Sequence, residues 1–197
     1  MEHVIRQYTL EPGALEVQYI EECFTEFSGK KMAEEIVERL KDREHLILLS
    51  RAASEDGDGV LIPVSYKIGH ELKAQETNIK LVDLVGQLRD VVEFPNRKIF
   101  YSWIGGTRAE WRGQGHYRAL TEQQEEWAHA NGYHELVVKT KNMFYGMRAT
   151  LDHLNFDVIK FQRHLRDNRE SKVYLSKKIA ADLLLGHQTQ RSVVDAA

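Results

Sequence analysis

The chain is short of cysteine. Cys23 is the single one in 197 residues, so no disulfide can close within the chain and nothing calls for an oxidising compartment. It falls in the helix-like stretch VQYIEECFTEF and reads as a core or half-buried thiol. The start, MEHVIRQYTL, lacks the basic and apolar regions of a secretory leader. No apolar run approaches the roughly 18 residues of a membrane span. A soluble, cytoplasmic protein is expected. The nine histidines include no H-E-x-x-H, and there is no cysteine pair, so no metal is expected. Lys and Arg number 27 against 30 Asp and Glu, a net charge of −3 with His neutral. That argues against the basic stripe of a nucleic-acid binder. The triphosphate signature G-x-x-x-x-G-K-[ST] is absent. So are internal repeats, low-complexity tracts and any linker that would divide the chain.

What is present is an alternation of strand and helix patterns in a chain long enough for one sizeable core. Residues 3–11 read as a strand. Helices follow over 14–28 and 30–42. The apolar run 45–53 reads as a buried strand, SEDGDG (54–59) as a turn, and 60–72 as a strand whose Pro63 marks an edge or a bulge. Two strands about a Gly-rich turn make a hairpin. Ile79, Val82, Val85, Leu88, Val91 and Val92 recur at helical spacing, predicting a helix inside 73–97 despite Gly86. Residues 99–107 read as a strand, 115–130 as a helix with Gly132 as its C-cap, 134–140 as a strand, 143–153 as a helix, and 156–162 and 171–179 as strands. Residues 186–197 read as a frayed tail. Strand, Gly-rich loop, helix and strand over 99–140 form a βαβ unit, whose strands should be parallel and whose crossover should be right-handed.

The loop of that unit, EWRGQGHYRAL (110–120), sets bare backbone ahead of a helix. A helix N-terminus presents unpaired N–H groups and partial positive charge, and glycines let an anion approach them. Gly113 and Gly115 sit where such an approach is needed, and Arg112 adds a charged donor. Read alone, the fragment divides evenly between a tight turn and a phosphate cradle. The dinucleotide fingerprint G-x-G-x-x-G is incomplete, because Arg118 stands at its third glycine.

The wider run AEWRGQGHYRAL … EWAHANGYHELVVKT, with Asn142 and Asn155-Phe156 after it, resembles the GNAT superfamily of acyl-CoA-dependent N-acyltransferases. The family's loop Q/R-x-x-G-x-G/A corresponds to Arg112, Gly113, Gln114, Gly115, His116 and Tyr117, with Tyr117 where Gly or Ala is usual. Asn155 stands for the glycine of the later N…GF motif, and Asn is the next best residue for a left-handed conformation. The resemblance covers about 98–162.

It implies a mixed α/β (α+β) fold: a GNAT-like central sheet with a splayed parallel strand pair and flanking helices, one domain over 1–185; the helix pattern at 74–96 stands where the family usually has a short connection and reads as an insertion. It implies acetyl-CoA, or another acyl-CoA, as co-substrate and a primary amine, small molecule or peptide, as acceptor. Pantetheine would pair with backbone near Ile104, Gly105, Gly106 and Thr107. The pyrophosphate would sit on the N–H groups of 113–117, and Asn142 would contact the cofactor. The reaction would be direct transfer, with the amine attacking as its neutral form. An amine of pKa about 10.4 is only about one part in a thousand neutral near pH 7.4, so a base and a dry pocket help. Backbone N–H groups would stabilise the oxyanion. The family's usual tyrosine acid falls at Leu151 here, which leaves Tyr145 on the same helix as the candidate. Tyr101 and Ser102 on the fourth strand are the candidate bases, Glu110 is expected beyond the strand as a helix-start carboxylate of the loop, and His116 is expected to be a solvated loop histidine or a cofactor contact. His129 and His134 read as surface. The 74–96 segment would lid the pocket, make a homodimer or thicken the core. The departures at Tyr117 and Leu151 also admit a non-catalytic acyl-CoA-binding sensor or interaction protein.

Overall fold

A computed structural model describes residues 3–11, 15–26, 29, 31–54 and 59–180. Its elements run β1 (His3–Tyr8), α1 (Leu15–Cys23), α2 (Ala33–Leu40), β2 (His45–Ala53), β3 (Leu61–Leu72), α3 (Ile79–Leu88), β4 (Ile99–Thr107), α4 (His116–Ala130), β5 (Glu135–Lys141), α5 (Tyr145–His153), β6 (Asp157–Gln162) and β7 (Lys172–Lys178). The strands form one sheet of seven in the order β1-β2-β3-β4-β5-β7-β6. β4 and β5 are the parallel pair, from Ile99 opposite Glu135 to Ser102 opposite Val138. β4 then continues to Thr107 and β5 to Lys141. The parallel βαβ expectation holds, and the mixed α/β class with it. The expected tail at 186–197 and most of the 54–59 turn lie outside the described residues.

The chain divides into two compact units, Met1–His70 with Trp103–Thr121, and Glu71–Ser102 with Glu122–Ala197. In the first, β1, β2 and β3 pair antiparallel. Five consecutive residues of β2, Leu46 to Ser50, are buried, as the unbroken apolar run of the sequence requires. Val17 and Ile20 of α1 and Ile36 and Leu40 of α2 close over Ile47, Leu49, Tyr66 and Ile68. Cys23 packs half-buried against this cluster, and burial raises its thiol pKa, the pull of Arg108 only partly offsetting it. The thiol is therefore a weak nucleophile. Pro63 sits opposite Arg51, where the β2–β3 register shifts after Ser50. The bulge reading is thus right and the edge reading is not, because β3 is interior. A missing N–H is tolerated where the ladder is already broken.

In the second unit β5 and β6 pair antiparallel with β7. α3 is shorter than the periodicity suggests. Asn78 caps it by accepting the Lys80 N–H at 3.1 Å, and the helix stops at Leu88. Its buried face is Leu81, Leu84, Val85 and Leu88, whereas Ile79 and Val82 point to solvent. The i, i+3, i+4, i+7 stripe joins Leu81 and Leu84 to the predicted Val85 and Leu88 and leaves Ile79 and Val82 outside. Gly132, at φ +74°, ends α4 as expected. Its neighbour Tyr133 returns an N–H to Ala128 at 2.9 Å. Asn155, at φ 60°, is left-handed as its place in the motif requires, and Phe156 N–H donates to Leu151 at 3.0 Å.

Candidate acyl-CoA site

The loop leaving β4 is built for exposed backbone. Gly113 and Gly115 have φ of +76° and +83°, and a Cβ added to either would meet nothing within 4 Å. Both glycines are therefore required by conformation, and the space above them is open. α4 begins at His116 and is 15 residues long. Ala119 donates to Gly115 O at 3.0 Å; the N–H groups ahead of it belong to the turn a helix leaves without internal acceptors. Long and preceded by open glycines, this helix start suits a pyrophosphate. The donor set fits the group the resemblance implies.

Arg112 is held from two sides. Its Nε donates to Thr107 O at 3.1 Å, and a terminal nitrogen lies 3.4 Å from Glu26 Oε1. The same Glu26 oxygen accepts the Ala109 N–H at 2.7 Å. Gln114 caps Glu110 O through Nε2 at 3.2 Å. Glu110 lies in the loop, as expected, and pairs with Arg108 at 2.8 Å.

The strand end before the loop differs from expectation in one respect. A Cβ at Gly105 would come within 3.0 Å of the Tyr66 carbonyl oxygen. The neighbouring strand β3 by itself therefore requires glycine at 105. Gly106 O and Thr107 Oγ1 both bond the Ser65 hydroxyl, at 3.0 and 2.8 Å. Ile104 packs on the core of this unit.

His116 is not the solvated histidine expected from a loop. It is 2% exposed, its Nδ1 lies 3.1 Å from Ser50 Oγ, and its ring meets His3 and Trp111 edge-on. Burial lowers its pKa, and the His3 imidazole adds to the effect. The reason is helix phase: His116 and Leu120 fall on the inward face of α4, both buried. Its backbone N–H remains part of the helix start.

Tyr117 turns its ring away from the loop. Its hydroxyl accepts from the Lys67 ammonium at 3.1 Å, and burial pushes its pKa far up. Lys67, on β3, is 1% exposed and donates also to Thr121 Oγ1 at 2.9 Å. Sequence reading missed Lys67. The available signal was a lysine flanked by Tyr66 and Ile68 in a strand buried on both faces.

The remaining candidates sit in the second unit. The Asn142 side chain donates to Asn168 O at 3.1 Å and accepts from Arg148 Nη1. Its amide is already engaged by protein. Tyr145 opens α5 and is 62% exposed, whereas Leu151 is wholly buried. Tyr101 and Ser102 are buried on β4, His134 is exposed and His129 half-buried. Glu125 and Lys177 form a buried ion pair at 2.6 Å that sequence reading also missed, because its partners are 52 residues apart. Among the described residues no group of His, Cys, Asp or Glu could hold a metal ion, and no helix is long and apolar enough to cross a membrane.

No protein-family model matches the chain, and no curated protein matches it. Solved structures do. Arabidopsis thaliana NAA60 in complex with acetyl-CoA aligns with a TM-score of 0.66 at 11% identity, over 89% of this chain and 99% of that one. A GNAT superfamily phosphinothricin acetyltransferase from Sinorhizobium meliloti, in complex with acetyl-CoA, gives 0.62 at 12%, over 91% and 90%. The ribosomal-protein-S18-alanine N-acetyltransferase from Escherichia coli gives 0.59 at 14%, over 90% and 95%. With the mixed sheet, its parallel β4–β5 pair and the glycine loop ahead of α4, these likenesses show that the chain has the GNAT fold.

Proposed function

We propose that this chain transfers an acetyl group from acetyl-CoA to a primary amine. The observation that carries the reading is the pair of positive-φ glycines, open to solvent, at the start of α4. The N–H groups of Gly113 to Tyr117 would hold the pyrophosphate, with Arg112 beside them, and the backbone of Ile104 to Thr107 would run along pantetheine. The structural neighbours solved with acetyl-CoA support the choice of co-substrate. In the transfer the amine nitrogen attacks the thioester carbonyl, the C–N bond forms, the C–S bond breaks, and the amine proton leaves to base. The thiolate departs as such or takes a proton, for which Tyr145 is the candidate donor.

A second reading is an acyl-CoA-binding protein without turnover. It is favoured by Leu151, which fills with buried hydrocarbon the place where the resemblance puts a tyrosine. Thermal unfolding with acetyl-CoA and with CoA tests both readings: each predicts a rise in Tm that grows with ligand, and no rise at millimolar ligand defeats both. Release of free thiol from acetyl-CoA over a panel of amines then divides them. Thiol release above the no-amine rate identifies the transferase.

A further inference from the structure

β6 ends the sheet. Its partner among the described residues is β7, so its outer edge carries free backbone N–H and C=O groups. The β6–β7 register passes from Val158 opposite Leu175 to Lys160 opposite Tyr174, which leaves Ile159 as the extra residue of a bulge. Phe161 then lies opposite Val173. Val173 and Leu175 share a face of β7, so the bulge brings Val158 and Phe161 onto one face of β6. Strict alternation would have separated them.

Both are poorly covered, at 55% and 47% exposure, and Leu165 just beyond is 95% exposed. Every residue from Phe161 to Arg169 is exposed. Within this stretch Arg163, Arg166 and Arg169 have no carboxylate partner among the described residues. Of the acids in and beside the loop, Asp167 accepts the Arg169 backbone N–H at 2.8 Å and Glu170 pairs with Lys141 at 2.6 Å, while Asp157 stands exposed at the far end of β6. Lys160 donates to Gln87 O at 2.7 Å, so it does not guard the edge. In a chain of net charge −3, this is a local excess of positive charge beside an apolar strip.

We propose that β6 and the loop after it dock an extended segment of a partner protein in which carboxylates alternate with apolar side chains. The segment adds to the free edge through main-chain hydrogen bonds, sets its apolar side chains on Val158 and Phe161, and gives its carboxylates to Arg163 and Arg166. A nucleic acid would answer the guanidinium groups but leave Val158 and Leu165 facing water. The aliphatic half of the surface therefore selects a protein.

The test uses the full chain and fluorescence anisotropy. The probes are a labelled peptide of alternating Glu and Val, the same peptide with its edge-facing amides N-methylated, and poly-U RNA of equal charge. The expected result is saturable binding of the first peptide that weakens with salt, is lost on N-methylation, and slows amide exchange in β6. Arg163→Glu with Arg166→Glu should weaken it about tenfold or more, and the milder Arg163→Gln with Arg166→Gln in the same direction. These side chains are exposed, so the variants should melt as the parent does. The proposal is overturned by no peptide binding at millimolar protein, by binding that ignores the arginine changes or N-methylation, or by RNA binding more tightly than the peptide.

Discussion

Lys67 Nζ lies 3.1 Å from the hydroxyl oxygen of Tyr117, and that contact joins the centre of β3 to the first turn of α4. A lysine 1% exposed is costly unless its ammonium is solvated by protein, and the Tyr117 and Thr121 hydroxyls do part of that. Tyr117→Phe should therefore destabilise the fold by about 1–2 kcal/mol. Tyr117→Ala, which restores the residue usual in the loop motif, should cost more, about 3 kcal/mol, because it also uncovers the lysine stem. Urea unfolding checks both; a more stable Ala variant would refute the assignment.

Gly113 and Gly115 hold positive φ with nothing beside them. Ala at either place should cost about 1–2 kcal/mol of stability through backbone strain alone. Gly115→Trp should add a steric block over the helix start. Its acetyl-CoA affinity, read by calorimetry, should fall well beyond that of Gly115→Ala. Equal affinities would place the pyrophosphate elsewhere.

His116 is buried with a pKa held below its ordinary value, first by burial and then by His3. The folded state thus resists protonation more than the unfolded state. Stability should be unaffected by this residue above about pH 6.5, and should fall as the pH drops below it. His116→Gln should flatten the fall between pH 6.5 and 5 in a series of urea titrations. An unchanged slope would mean that other groups set it.

Glu125 and Lys177 are 2% and 4% exposed at 2.6 Å. Lys177→Met leaves a buried carboxylate without its lysine and should cost about 3–5 kcal/mol. Glu125→Leu combined with Lys177→Met should recover most of the loss, because neither charge then remains in the interior. Chemical unfolding of the two singles and the double measures the coupling.

The order of elements was readable because apolar runs and helical stripes are local signals. Leu46–Leu49 could only be a buried strand, and the Gly-Gln-Gly loop announced a helix start. Phase was not readable at α3. Leu81-Leu84-Val85-Leu88 and Ile79-Val82 offer two stripes a turn apart, and only packing chooses. The glycine at 105 was legible as a close approach, but not what approaches, because Tyr66 O comes from another strand. His116 was misplaced for the same reason: Ser50, which receives it, lies 66 residues away. Polar groups buried by distant partners leave no periodic trace, and Lys67, Glu125 and Lys177 are all of this kind.

Glu26 Oε1 serves Ala109 and Arg112 at once, although they lie 83 and 86 residues along the chain. Ala109 and Arg112 therefore share one counter-charge. Substitutions at 26 and 112 will not add: each removes the Glu26–Arg112 contact, although Arg112 also bonds Thr107 O and Glu26 also bonds the Ala109 N–H. A scan that changes one residue at a time will credit Arg112 with energy that belongs to the pair. Charge-swapped variants at 26 and 112 together are the ones that will carry the information.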